Sequence, residues 1–175
     1  MSPASAVSRA RVASTEPLGL SHPDFAQLVA EKMRSQGSVY LRVSGSSMVP
    51  WMRAGDFVFV RQFDFAKVAV GDVIVFSRNG LVVTHRAIRR VPAAPSGETA
   101  ILLLTKGDAS NEADDPVSAA EFLGRATRIH RGRQHIDLDS FTQVFCGRLL
   151  ARFSRMSRLI YGPLRRAKQL LLRWK

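Results

Sequence analysis

A single cysteine, Cys146, excludes an internal disulfide and leaves no basis for a metal site built on thiolates. It falls on an apolar helical face, where a buried, inert thiol is expected. No charge-free apolar run approaches the ~20 residues needed to span a bilayer. The first twenty residues are rich in Ser, Ala, Pro and Arg and contain no apolar stretch of the secretory type, so a cytoplasmic location is expected. Acids are scarce, with 14 Asp and Glu against 26 Lys and Arg and a formal net charge of +12. The imbalance is local: residues 141–175 hold nine Lys/Arg and no acid, which leaves only +3 to the first 140. The surplus calls for an anionic partner, and it belongs to a tail rather than to the core of the molecule.

What remains is globular in composition, with 46% hydrophobic and 23% charged residues. Residues 1–20 read as a disordered N-terminus. Residues 21–140 read as one domain of mainly β class, a coiled antiparallel sheet or small barrel behind a short N-terminal helix. That helix is expected over 21–35, with Ser21 or His22 near the cap, Pro23 in the first turn, and Phe25, Leu28, Val29 and Met33 on one face. Apolar runs rich in Val, Ile and Phe follow at 38–43, 57–61, 73–76, 81–84, 86–91, 100–105 and 123–130. Asn79-Gly80 between "VIVFSR" and "LVVTHR" is the strongest hairpin signal, and a second hairpin is expected to turn at Arg131-Gly132. Asp56 and Asp72, each following a glycine, read as turn formers that bond their own backbone. From Phe141 the period becomes helical, with Phe141, Val144, Phe145, Leu149, Phe153, Met156 and Ile160 at threes and fours and arginines elsewhere. This basic amphipathic helical tail, 141–175, suits the headgroup plane of an anionic membrane. Nucleic acid is the weaker reading of the charge, since no aromatic-interleaved RNA motif and no helix-turn-helix pattern is present.

Three segments carry candidate chemistry. "GSSMVP" (45–50) places Ser47 in a loop ahead of Gly55-Asp56. "VVTHRAIRRV" (82–91) sets His85 inside an apolar strand. "LLTKGDASNEADDP" (103–116) puts a Lys-Gly-Asp turn before Asp114 and Asp115. Serine, histidine and aspartate are the parts of a hydrolytic triad, in the chain order Ser47, His85, Asp. A serine hydroxyl needs a base to take its proton as it attacks a carbonyl. Histidine, unperturbed near ~6.5, can accept that proton at neutral pH, and a carboxylate fixes its tautomer and steadies the imidazolium. Met48, Trp51 and Met52 either line a groove beside the serine or pack in the core.

Together these segments resemble the boxes of type I signal peptidases, Gly-x-Ser-Met-x-Pro followed by Gly-Asp and a strand. Where the common bacterial members carry a Lys-Arg pair, this chain has His85-Arg86, similar to the archaeal, spore-former and endoplasmic-reticulum branch. Thr105-Lys106-Gly107-Asp108, with Asn111 and Asp114/Asp115 beyond, is similar to the third box of that branch. The resemblance covers residues 38–130. It implies Ser47 as nucleophile, His85 as general base and Asp114 as its partner, with Asp115 able to replace Asp114 and Asp108 at a second acidic position. It also implies the Ser47 backbone N–H as oxyanion donor, helped by a nearby serine hydroxyl. No cofactor and no metal is implied. The expected activity is a serine endopeptidase at the inner membrane face, acting on a peptide or protein substrate or on its own chain. Two other readings stand beside it. One is a repressor-type self-cleaving protease with Lys67 or Lys106 as the base; the other is a non-catalytic module binding membrane or nucleic acid.

Overall fold

The computed structural model describes residues 21–93 and 100–140. The expected disordered N-terminus, the basic tail and Cys146 fall outside them. Helix α1 (His22–Gln36) begins at Ser21, whose hydroxyl accepts from the Asp24 N–H, and ends at Gly37 in the left-handed conformation (φ 68°). Its buried stripe is Ala26, Val29 and Met33, with Phe25 partly buried alongside. Leu28, expected on that stripe, is instead 39% exposed. A helix advances about 100° per residue, which swings Leu28 well away from Val29, and Ala26 takes the place three residues before it.

Seven strands follow: β1 (Ser38–Arg42), β2 (Phe57–Arg61), β3 (Val73–Arg78), β4 (Leu81–Pro92), β5 (Ile101–Lys106), β6 (Phe122–Arg131) and β7 (Gln134–Asp137). All pair antiparallel in one sheet of order β1-β2-β6-β3-β4-β5 that does not close into a barrel. Strand β6 holds the halves together. One of its edges pairs β2; its other edge pairs β3 along the first half and β7 along the second. The runs expected at 81–84 and 86–91 form the single strand β4, with His85 inside it and a register shift between Ala87 and Arg89.

Turn chemistry explains the hairpins. Asn79 (φ 51°) and Gly80 (φ 73°) both take positive φ, the demand of a type I′ turn whose twist matches its flanking strands. The second hairpin turns on Gly132-Arg133, one residue beyond the expected pair. Burial explains why "VIVF" in β3 does not alternate. Val73 and Val75 enter one core with α1 and β2, while Ile74 and Phe76 enter a second with Val68, Leu103 and Val117. A strand buried on both faces needs apolar side chains at every position.

Asp56 and Asp72 do bond their own turns, accepting from the Arg53 N–H at 2.8 Å and the Ala69 N–H at 2.9 Å. Asp56 also receives a fork from Arg131 at the end of β6, at 2.9 and 2.7 Å. Burial raises the Asp56 carboxyl, but the Arg131 bonds, the Arg53 N–H and both guanidinium charges outweigh it. The carboxyl is held below its ordinary range. The sign follows. A carboxyl lowered by folding stabilises the fold above its unfolded pKa, and that stabilisation vanishes as pH falls through the lowered value. Asp56→Asn should therefore cost about 2 kcal/mol at neutral pH. Thermal melts of variant and wild type should converge as the buffer is acidified below the carboxylate range; a gap that persists in acid would contradict the assignment.

Candidate active site

Residues 44–55 leave the sheet as a loop closed at its base, where the Val43 N–H donates to Asp56 and the Gly55 N–H donates to Val43, both at 2.8 Å. Met48 and Met52 are buried in the first core, so they pin the loop from inside. Of the two roles open to them, core packing is the one observed. Trp51 is half-buried and lends its carbonyl to Arg131. With Met48 anchored, Ser47 sits at the edge of the core, and its carbonyl accepts from the Ala109 N–H at 2.7 Å.

His85 lies mid-β4, opposite Ile74, with its ring 6.3 Å from that of Phe76, and is 1% exposed. A histidine so deep in the molecule must have partners for both nitrogens. Ser47 Oγ lies 2.9 Å from His85 Nε2, and His85 Nδ1 lies 2.5 Å from Asp114 Oδ2. An ionised carboxylate only accepts, which assigns the ring proton to Nδ1 and leaves the Nε2 lone pair to receive the Ser47 O–H. Asp114 Oδ2 also accepts from the Thr105 hydroxyl at 2.7 Å. Serine, imidazole and carboxylate thus form one continuous hydrogen-bonded chain.

The other candidates occupy different stations. Asp115 is exposed and offers only its carbonyl, to Arg78 at 2.7 Å; Asp114 is the aspartate that faces His85. Asp108 is gripped by Arg86 through two bonds of 2.8 and 2.7 Å, while Arg86 also donates to the Gly71 carbonyl. This pair ties the 107–114 turn to β4 immediately beside His85 and takes no part in the proton chain. Lys67 is exposed and paired with Asp64 at 3.7 Å. Lys106 is 5% exposed and stands opposite Arg86 in the β4–β5 ladder. Among the other histidines, His22 opens α1, while His130 and His135 face each other across the β6–β7 hairpin at 4.3 Å. His130 is held below its ordinary range by desolvation, then by His135 and Arg128. Among the described residues no cluster of three His, Cys, Asp or Glu side chains is placed to hold a metal, and no helix is long and apolar enough to cross a membrane.

The open antiparallel sheet thus carries a serine–imidazole–carboxylate chain, the arrangement that a serine peptidase would need. A family model described as Peptidase S24-like matches residues 13–127, about two-thirds of the 175 residues, and the chain belongs to that family. Neither the curated proteins nor the solved structures searched contained a match.

Proposed function

We propose that the chain is a serine endopeptidase of the signal peptidase type. Ser47 Oγ attacks the scissile carbonyl while its proton passes to His85 Nε2. That proton is then delivered to the leaving amine as the C–N bond breaks, and water, activated by the same imidazole, hydrolyses the acyl-serine. Asp114 holds the productive tautomer and steadies the imidazolium. The Ser47 backbone N–H is the proposed oxyanion donor. The observation that carries the reading is the double engagement of one buried imidazole, Nε2 on Ser47 and Nδ1 on Asp114.

A second reading within the same family keeps Ser47 and makes Lys106 the base, as in repressor-type proteases. It is favoured by the burial of Lys106 next to Gly107, which packs against Ser47. Digestion of a peptide library by wild type, His85→Ala and Lys106→Met separates the two. Cleavage lost with His85→Ala and kept within about tenfold by Lys106→Met is the expected result, because only His85 would sit in the transition state. The reverse pattern would assign the chemistry to lysine.

A further inference from the structure

We propose that Thr105 is a positioning residue for the acid–base pair, acting through its hydroxyl on Asp114; the inference rests on the Ser47–His85–Asp114 reading. Thr105 lies near the end of β5 and is 0% exposed. Its hydroxyl donates at 2.7 Å to Oδ2 of Asp114, the same oxygen that faces His85 Nδ1. The Asp114 N–H returns a bond of 2.8 Å to the Thr105 carbonyl. Residues 105 and 114 are therefore joined by side chain and by backbone, and 107–113 form a turn closed by that clip.

The physical need is orientation. A carboxylate held by one bond to an imidazole can still swing about its own terminal torsion, which is broad and lacks sharp wells. A second donor on the same oxygen fixes the plane of the group. A β-branched threonine, stiff at χ1 and packed with no solvent access, is a rigid donor. Were the carboxylate to rotate, Nδ1 would lose its acceptor and the imidazole its preference for the Nδ1–H tautomer, so Nε2 would no longer reliably face Ser47 as a base. The same turn reaches the nucleophile, since Ala109 donates to the Ser47 carbonyl at 2.7 Å. The Thr105–Asp114 clip thereby sets both ends of the proton chain from one loop.

Thr105→Val keeps the buried shape and removes only the donor, whereas Thr105→Ser keeps the donor and removes a methyl. With any peptide cleaved in a Ser47-dependent way, Thr105→Val should lower kcat on the order of 10- to 100-fold at unchanged KM, and Thr105→Ser should stay within about threefold. The nitrogen-15 NMR signals of His85 should show one Nδ1–H tautomer in wild type and Thr105→Ser, and a mixture in Thr105→Val. Wild-type kcat with an unaltered imidazole in Thr105→Val overturns the positioning role, and an inactive Ser47→Ala would still leave the peptidase reading in place. If no peptide is cleaved, that reading fails on its own and the NMR comparison alone decides for Thr105. Should Thr105→Val not fold, Thr105→Cys, close to threonine in volume but with only a weak donor, takes its place in both measurements.

Discussion

On the proposed mechanism, Ser47→Ala should lower kcat/KM by about 10⁴- to 10⁶-fold, His85→Ala should do much the same, and the double variant should fall no further than the worse of the two. The reason is that, in the proposed mechanism, the two side chains perform one event. Without the imidazole, the Ser47 hydroxyl keeps its proton and is a poor nucleophile; without the hydroxyl, the imidazole has nothing to activate. Each removal therefore abolishes the same step, and what survives is substrate binding and oxyanion stabilisation. Stability separates this from unfolding. Loss of the hydroxyl leaves a buried His85 nitrogen without its partner, a cost of about 1–3 kcal/mol, far too small to empty the folded state of a sound domain. Steady-state kinetics on the four proteins, with melts alongside, make the check. If the two losses multiplied in the double variant, the 2.9 Å Ser47–His85 contact would not be the working unit.

Local chemistry made much of this molecule readable in advance. Asn79-Gly80 announces its hairpin because both residues tolerate positive φ, and Ser21, Pro23 and Gly37 mark the ends of α1 by capping rules that act within one turn. Ser47 and His85, with either Asp114 or Asp115, could be singled out as candidates because their segments resemble three ordered boxes of a known family. Through-space relations were hidden. Asp56 reads as a turn residue, and nothing near it announces Arg131, seventy-five positions away, whose fork ties the loop base to β6. Thr105 stands inside the Thr-Lys-Gly-Asp box, yet its hydroxyl finds Asp114 only after the 107–113 turn has closed. The choice between Asp114 and Asp115 was undetermined for the same reason: adjacent residues in an irregular turn point in different directions, and it is Asp114 whose N–H and carboxylate both bond Thr105. Leu28 fails the other way. Apolar identity suggested burial, while the helical period set by Val29 and Met33 selected Ala26.

Gly107→Ala should disable the site without replacing any residue of the proton chain. The demand at Gly107 is space. Its φ is not in the left-handed range, unlike Gly55, where φ is 95° and a Cβ would meet nothing within 4 Å. A Cβ at Gly107 would lie 2.8 Å from Ser47 Cβ, 2.9 Å from the Ser47 carbonyl oxygen and 2.5 Å from Ser110 Oγ. The Ser110 hydroxyl can rotate aside. The Ser47 backbone cannot, because its carbonyl is bonded to Ala109 in the same turn and the next residue, Met48, is locked in the core. The added methyl must push the nucleophile loop away from β5 while His85 and Asp114 stay where β4 and the Thr105 clip hold them. Overpacking of this kind costs about 1–3 kcal/mol. A displacement of even part of an ångström at a reacting atom is expected to lower kcat on the order of 100-fold. Activity should therefore fall far more than the melting temperature. Gly132→Ala, strained by a φ of 57° but with nothing within 4 Å of its Cβ, serves as the control that loses stability and little activity. Wild-type turnover in Gly107→Ala would mean that Ser47 does not rest against this glycine in the working enzyme, and the alignment of nucleophile and base would need another source.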